Sequence, residues 1–157
     1  MKIKLIVIGK TDQGHLQEGI GMYHSRIPHY LPFEYQVIPD IKNTRKLSEV
    51  QQKEKEGELI LSQIKAGDEL ILLDEKGKEF RSTEFARFLE KKMLGGVKNL
   101  IFVIGGPYGF SDAVYQKAAG KVSLSKMTFS HQLIRLIFSE QLYRALTILK
   151  GEPYHHE

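Results

Sequence analysis

The chain has 157 residues, of which 27% are charged and 41% apolar, and it contains neither cysteine nor tryptophan. This length predicts one domain, residues 1–157, with a substantial core. The lack of cysteine excludes disulfides, thiolate nucleophiles, iron–sulfur clusters and the usual structural zinc sites. A net charge of +4 allows a polyanionic partner without requiring one. No apolar run has the length of a membrane span or signal peptide, so we expect a cytoplasmic protein.

Short apolar runs alternate with amphipathic or charged segments along the chain. The predicted elements, in order, are strand 3–8, helix 15–26, strand 33–38, helix 43–64, strand 69–73, helix 82–94, strand 99–104, helix 111–119, strand 122–125 and helix 131–149. The tripeptide Lys76-Gly77-Lys78 predicts a turn, and Ser82, Ser111 and Ser130 are predicted helix caps. The strands are apolar on both faces, which predicts an α/β fold with a mostly parallel sheet and helices on both faces.

Ligands of such sheets bind beyond the carboxyl ends of the strands. The loops to inspect are therefore 9–14, 40–44, 74–78, 105–110 and 126–130. In one of them, Gly105 and Gly106 directly follow a buried strand, and the missing Cβ atoms allow close approach of a flat ligand or another backbone. A tight strand–helix turn without a ligand explains this loop equally well.

Several familiar catalytic motifs are absent from the sequence. There is no P-loop, no G-x-S-x-G elbow and no H-E-x-x-H pair. The glycines after the fourth strand have the order G-G-x-x-G, and only Gly9 follows the first strand, so the dinucleotide-binding fingerprint fails where it should lie. These absences argue against dehydrogenase and kinase chemistry.

The segment 124–131 alternates polar and apolar residues around a strand end. It could offer backbone N–H and C=O groups to the edge of a heterocycle, although a helix-capping connection through Ser130 is a plainer explanation. In the last helix, Arg135 and Arg144 lie off the apolar stripe, and Glu140 precedes Arg144 by four positions. Surface ion pairing is the simplest interpretation of both arginines.

The chain closes with Tyr154, His155 and His156 behind a proline. Tyrosine can stack on bases and histidine can move protons near neutral pH, but a disordered end would explain the same residues. The other histidines that lie in or beside the first helix, His15, His24 and His29, have no metal-ligand spacing and are interpreted as surface groups.

Taken together, these stretches resemble the RlmH family of SPOUT methyltransferases over the whole chain. The residues that carry the resemblance are KIKLIVIGK at 2–10, KEGE at 55–58, LLD at 72–74 with Gly77 and Lys78, VIGGPYG at 103–109, LSKMTFSHQ at 124–132, EQLYRA at 140–145 and PYH at 153–155. The resemblance implies methylation of N3 of a pseudouridine in 23S ribosomal RNA, with S-adenosylmethionine as cofactor and no metal. It also implies a C-terminal trefoil knot, a homodimer, and the assembled 70S ribosome as substrate.

The resemblance also implies site residues. Those matching cofactor-contacting segments are Leu73, Gly105, Gly106, Leu124, Ser125, Lys126, Met127, Thr128 and Phe129. Tyr154 and His155 match the C-terminal Tyr-His of the family and, with Arg135, are the catalytic candidates for base binding and proton handling. The RNA-binding candidates are His131, Arg144 and His156, the last standing where some relatives have a basic residue.

Two other functions remain open from the sequence. One is a knotted RNA-binding ribosome factor without catalysis, which would not need the glycines and the 124–129 segment of a cofactor site. The other is a Rossmann-like methyltransferase with Asp74 or Glu75 on the ribose hydroxyls. Substitution of Asp74 by alanine should abolish cofactor binding in that case and have little effect in the SPOUT case.

Overall fold

The computed structural model describes residues 1–156. In chain order the elements are β1 (Lys2–Ile8), α1 (Gly14–Arg26), β2 (Phe33–Ile38), α2 (Glu49–Leu61), β3 (Glu69–Glu79), α3 (Ser82–Leu94), β4 (Asn99–Ile104), α4 (Asp112–Lys117), β5 (Gly120–Ser123) and α5 (Leu133–Leu149). Short 3₁₀ helices form at Ile27–His29 and Thr44–Lys46. No helix within residues 1–156 is long and apolar enough to span a membrane.

The strands form one parallel sheet in the order β2-β1-β4-β3-β5. Alternate residues of the central strands enter different cores: Leu5 and Phe102 face a cluster with α3 and α5, whereas Ile6 and Val103 face a cluster with α2 and α4. Helix α1 lies on the α5 side, where a Cβ on Gly19 would meet the Leu136 side chain. Helices therefore cover both faces, and the predicted α/β architecture is confirmed.

Helix α2 begins later than the sequence pattern predicts. Ser48 Oγ accepts a hydrogen bond from Gln51 N at 3.1 Å, and Gln51 Oε1 accepts one from Ser48 N at 2.9 Å. This capping box fixes the start at Glu49, and the preceding 3₁₀ turn follows Asn43, whose φ is +62°. The predicted start at residue 43 was wrong because charged residues without a cap signal were assigned to the helix.

The predicted turn at residues 76–78 was also wrong. Strand β3 continues to Glu79, and both Leu73 and Lys78 pair with Val122, so the residues between them bulge out of the register. A Cβ on Gly77 would lie 2.7 Å from Val122 N. This glycine therefore permits close packing against the backbone of β5, which is a different use of glycine from a turn.

The predicted helix caps have different outcomes. Ser111 Oγ accepts from Val114 N, which confirms Ser111 as the N-cap of α4. Ser130 Oγ accepts from Leu133 N at 3.1 Å, but the N-cap position of α5 is Gln132, so Ser130 stabilises the turn before the helix and is not its cap. Ser82 is already the first residue of α3, and its hydroxyl donates to Gln141 Oε1 of α5 at 2.7 Å. Its side chain joins two helices, so its predicted role as a cap was wrong.

Candidate cofactor cleft and C-terminal cluster

A cleft of about 670 Å³ opens beside the bulged residues 73–76 of β3 and the carboxyl ends of β4 and β5. This volume lies in the range of pockets that bind small organic ligands. Its lining includes the residues Leu73, Asp74, Glu75, Gly105, Gly106, Tyr108, Phe110, Tyr115, Leu124, Ser125, Met127, Thr128, Phe129 and His131. The cleft thus lies where the strand order and the loop composition predict it.

The Gly105–Gly106 loop is a tight turn that also forms one wall of the cleft. Gly109 has a φ of +82°, and its N–H donates to Gly106 O at 3.2 Å. A Cβ on Gly105 would lie 3.1 Å from the Phe110 ring, and one on Gly106 would lie 2.7 Å from Glu56 Oε1. Because the loop is packed from behind, it needs glycine for structure and presents backbone to the cleft at the same time.

Helix α2 supports this loop through Glu56, which is 4% exposed. Its carboxylate accepts a hydrogen bond from Gln52 Nε2 at 3.2 Å, and burial together with the Asp40 charge raises its pKa. The neighbouring Gly57 lets Ser111 Oγ and Val114 approach the same helix. Sequence reasoning included Glu56 in a family motif only; the available signal was a Glu-Gly pair inside an otherwise exposed charged helix.

The 124–129 segment forms the opposite wall. Ser125 Oγ accepts from Met127 N at 2.9 Å, and Thr128 Oγ1 donates to Glu75 Oε2 at 2.9 Å. Lys126 alone of the predicted cofactor residues does not line the cleft. Its side chain is 86% exposed and its ammonium lies 3.9 Å from Glu79 Oε1. The side chain of Lys126 therefore lies outside the cleft.

One side of the cleft is acidic. Asp74 accepts hydrogen bonds from Tyr115 OH and, at 2.9 Å, from Lys76 N, and it shares this side with Glu75. Burial and the Asp74 carboxylate raise the pKa of Tyr115 to about 12. The phenol therefore remains protonated at neutral pH, and this side of the cleft suits a ligand that carries positive charge.

Arg135 is not on the surface. It is 1% exposed, and its guanidinium donates to Ile8 O at 2.6 Å, Gly9 O at 2.8 Å, Thr11 Oγ1 at 3.1 Å and His131 O at 3.1 Å. The interpretation as a surface ion pair was wrong, and in this position the guanidinium does not reach RNA phosphates or base carbonyls. Instead it joins the first turn of α5 to the end of β1.

Gln132 strengthens the same junction. Its side-chain amide donates to Lys10 O at 3.0 Å and accepts from Asp12 N at 3.1 Å. Because Gln132 and Arg135 hold both sides of the β1–α1 loop, the adjacent His131 is fixed at the edge of the cleft. Sequence reasoning had included Gln132 in the family motif without giving it a role.

A second group of predicted site residues, the C-terminal cluster, consists of Glu140, Arg144, Tyr154 and His155. Glu140 Oε1 accepts from Arg144 Nε at 2.9 Å, from Arg144 Nη2 at 2.5 Å and from Tyr154 OH at 3.1 Å. Arg144 Nη1 lies 3.1 Å from His155 Nδ1. Burial, Tyr23 and Glu140 raise the pKa of Tyr154. The predicted Glu140–Arg144 pairing is confirmed, while His156 is exposed.

The cleft and the C-terminal cluster lie apart within one chain. Ile134 lines the cleft at the start of α5, whereas Arg144 lies about 15 Å further along the helix, at a rise of about 1.5 Å per residue. Neither Tyr154 nor His155 lines the cleft. The structure therefore assembles two parts of the predicted site and does not bring them together within one chain.

His24 is a further correction. Its ring packs edge-on against Phe33 and Tyr35 with centroid separations of 4.9 and 4.7 Å, and its Nε2 lies 2.8 Å from Ser139 Oγ. Burial lowers the pKa of this imidazole to about 4. His15 and His29 are exposed as predicted, but His24 is partly buried between α1, β2 and α5.

A parallel sheet with a glycine-walled cleft at its carboxyl edge defines an α/β protein that binds a small organic ligand there. The family model described as "Predicted SPOUT methyltransferase" matches residues 1–155. The chain is 68% identical to ribosomal RNA large subunit methyltransferase H of Parabacteroides distasonis and 64% identical to that of Flavobacterium johnsoniae, each over 157 residues and 100% of both chains. It is 60% identical to that of Christiangramia forsetii over 156 residues, 99% of both chains. The chain belongs to the SPOUT methyltransferases, in the RlmH family.

Methyltransferases of this family use S-adenosylmethionine, and the cleft fits that cofactor. Its volume suits a small organic molecule, its 124–129 wall supplies polar backbone groups, and its Asp74 and Glu75 side suits the positive charges of the sulfonium and ammonium groups. Family membership also implies an α/β knot, an exception to the usual rule that chains do not thread.

Proposed function

We propose that this chain methylates N3 of a pseudouridine in 23S ribosomal RNA, using S-adenosylmethionine and acting in the cytoplasm on assembled ribosomes. The observation that carries the proposal is the cleft beside residues 73–76 of β3 and the ends of β4 and β5, whose walls are Gly105–Gly106 and 124–129. Relatives aligned over the full chain at 58–68% identity carry the name of a large-subunit ribosomal RNA methyltransferase. A binding factor without catalysis would have no use for this cleft.

The cofactor supplies a methyl group that is already activated by the sulfonium. The task of the protein is therefore to hold that group in line with the attacking nitrogen. One wall against it would consist of Leu73, Gly105 and Gly106, and the other of residues 124–129 without Lys126, which does not line the cleft. Since these two walls consist largely of backbone and apolar groups, the charge of the cleft comes from its Asp74 and Glu75 side.

The second task is removal of the proton on N3. Because burial and Glu140 raise the pKa of Tyr154, its phenol stays protonated, and its single O–H, which donates to Glu140 Oε1 in this structure, would turn to a base carbonyl when RNA binds. His155, whose Nδ1 lies 3.1 Å from Arg144 Nη1, is then our candidate for accepting the N3 proton, which requires that contact to open so that Nδ1 can take the proton up. The Arg144 charge would also favour the anionic base. His131 and His156 are assigned to RNA contacts at the edges.

Arg135 has a different role in this proposal. Its four hydrogen bonds to Ile8, Gly9, Thr11 and His131 occupy the guanidinium, so it acts as a positioning residue. It holds His131 and the β1–α1 loop at the edge of the cleft. The catalytic step itself is assigned to Tyr154 and His155.

We further propose that the active form is a homodimer in which the C-terminal cluster of one subunit completes the cleft of the other. The distance between the two parts along α5 supports this, because a single chain leaves the base-binding residues away from the methyl donor. Partly exposed apolar residues at the start of α5 and on α1 support it as well; Leu133 is 37% exposed and Met22 42%.

The reaction is tested by incubating the protein with methyl-labelled S-adenosylmethionine and ribosomes from cells that lack the modification. Digestion of the 23S RNA and mass spectrometry should then find one new methyl group on one pseudouridine. Cofactor binding without transfer to 70S ribosomes would redirect the search to another RNA substrate. Absence of cofactor binding would favour the binding factor without catalysis.

The shared site is tested by mixing two defective variants at a concentration of S-adenosylmethionine near the Kd of the unsubstituted protein, at which the weakened cleft is almost empty. One carries Gly105→Val in the cleft and the other carries Tyr154→Phe with His155→Ala in the C-terminal cluster. Random pairing should restore about a quarter of the unsubstituted activity, because about half of the dimers are mixed and each has one intact composite site. No recovery, with mixed dimers demonstrated by mass spectrometry, would assign both parts of the site to one chain.

A further inference from the structure

A basic surface lies beside the cleft and has no role in the function proposed above. It consists of Lys10 after β1 and of Lys42, Arg45 and Lys46 in the loop after β2, and we call it the basic edge. All four side chains are exposed. Both loops follow parallel strands, so the basic edge lies on the same side of the sheet as the cleft.

The four charges form no ion pairs within the described residues 1–156. Ion pairs within residues 1–156 involve Lys2, Lys4, Lys92, Lys126 and Arg144, and none involves a residue of the basic edge. Asp40 is the acidic residue of the same loop, and its carboxylate packs against Gly9. The positive charge is therefore available to an external partner.

The loop is held so that its charged side chains face solvent. Its ends, Ile41 and Leu47, are partly buried, and the 3₁₀ helix Thr44–Lys46 is closed by Leu47 N donating to Thr44 O at 3.0 Å. Asn43 enters this turn with a φ of +62°. Because both ends of the loop are anchored and the turn between them is ordered, its basic side chains have a defined position on the surface.

The basic edge is connected to the cleft at both of its ends. Glu49, the first residue of α2 and three positions after Lys46, lines the cleft. Lys10 O accepts from Gln132, next to His131 of the cleft wall. Gly9 N donates to Ile38 O at 2.7 Å, which places the two basic loops side by side. A polyanion across these loops would therefore pass the opening of the cleft.

We propose that the basic edge binds the phosphate backbone of the RNA whose base enters the cleft; this rests on the proposed function. Phosphate contacts position a nucleic acid without reading its sequence, and lysine and arginine make most of them. A base in the cleft requires backbone on either side of it, and the basic edge lies along one such path. The basic edge would fix the position of the RNA backbone relative to the cleft, and the shape of the RNA target would determine which nucleotide is methylated.

The test uses the full-length protein with Lys42, Arg45 and Lys46 all changed to Glu. A matched control carries Lys65→Glu, Lys91→Glu and Lys98→Glu. These three exposed residues lie on the side of the sheet where the strands begin, away from the cleft, and the change in net charge is the same. Kinetics of methyl transfer to ribosomes give kcat and KM, and calorimetry gives the affinity for S-adenosylmethionine. Circular dichroism confirms that both variants are folded.

We expect the first variant to raise the ribosome KM at least about tenfold near 0.1 M salt, with unchanged cofactor affinity, and the control to stay within about twofold. Changing the same three residues to Gln should make the slope of log kcat/KM against log salt shallower by about 2, since each phosphate contact contributes about 0.7 on single strands. Equal KM values for variant and control would overturn the proposal. Loss of binding to anionic phosphatidylserine vesicles, with ribosome kinetics intact, would overturn it in favour of a lipid surface.

Failure of the proposed function would be visible separately. If the unsubstituted protein transfers no methyl group to ribosomes, the same variants are compared by co-sedimentation with ribosomes. Weaker sedimentation of the Lys42, Arg45 and Lys46 variant than of the control would then support the basic edge as an RNA-binding surface. Equal sedimentation of the two would overturn it.

Discussion

The cleft is formed mainly by backbone groups and glycines, whereas the C-terminal cluster is formed by polar side chains. The cleft takes its form from strand ends, glycines and backbone groups, and its glycine loop is packed from behind by Glu56 and Phe110. The C-terminal cluster depends on side chains, with one carboxylate oxygen of Glu140 accepting from both Arg144 and Tyr154. The cleft determines the shape of the cofactor site, whereas the C-terminal cluster provides charged and proton-carrying side chains. Substitutions in the two regions should therefore affect different steps.

The largest effect is expected from Tyr154→Phe combined with His155→Ala. If these residues bind the base and handle its proton, kcat should fall about 10³-fold, within the range of general acid–base contributions. The affinity for S-adenosylmethionine should not change, because neither residue lines the cleft. Steady-state kinetics and calorimetry measure the two quantities, with His15→Ala as an exposed histidine control. A loss of cofactor affinity in the same variant would show that the C-terminal cluster also takes part in binding the cofactor.

For Gly105→Val we expect weaker binding of S-adenosylmethionine, the property that the Tyr154 and His155 substitutions should leave unchanged. Its branches would meet the Phe110 ring and Gly109 O, already 3.1 and 3.3 Å from a Cβ, or enter the cleft. We expect the cofactor Kd to rise about a hundredfold, equivalent to about 2.7 kcal/mol. Gly21→Ala is the control, since a Cβ there meets nothing within 4 Å. Unchanged affinity in calorimetry would contradict the assignment of this wall.

Arg135→Gln tests the junction that holds the edge of the cleft. Loss of its hydrogen bonds leaves buried carbonyls of Ile8 and Gly9 without a donor, so the free energy of unfolding should fall by about 3 kcal/mol. Urea denaturation measures this change, and Arg87→Gln, an exposed position, should stay within about 0.5 kcal/mol. Equal stability of the two variants would mean that the guanidinium does not support the junction.

The smallest effect concerns pH and His24. Its pKa is about 4 in the folded protein against 6.5 in the unfolded chain, so unfolding takes up a proton between these values. The contribution of neutral His24 to the free energy of unfolding is therefore fully present above pH 6.5. It should fall by about 1 kcal/mol by pH 5, a value that allows for the partial exposure of the ring. Urea titrations at pH 7 and 5 should show this decline, and His24→Asn should reduce it. His29→Gln should leave it intact.

Much of the fold follows from local pattern. Strand β4 has the predicted bounds because its continuous apolar run can only be buried on both faces. The edge strand β2, whose apolar residues alternate with Glu34 and Gln36, also has the predicted bounds. The cleft was also predictable, since its place depends on strand ends. The extension of β3 past Gly77 was not, because the contact that requires glycine is with β5, distant in sequence.

The site residues were less predictable than the fold. Arg135 has the spacing of a surface residue, and only the carbonyls at the end of β1 explain its burial. His24 was misjudged for the same reason, since Phe33, Tyr35 and Ser139 reach it from other elements. Local periodicity contains no information about partners over a hundred positions away. Such partners decide whether a polar side chain faces water or the core.

The bonds between α5 and β1 have a consequence for how the chain folds. Arg135 and Gln132 contact residues at least 120 positions earlier, and Tyr30 donates to Glu152 across 122 positions. Strand β1 therefore receives these partners only after at least 120 further residues have been synthesised. Contacts of such long range slow folding, so we expect the native state to form on a slower timescale than in helical bundles of equal length. An N-terminal fragment ending before α5 should expose the Leu5 and Phe102 side of its sheet and aggregate.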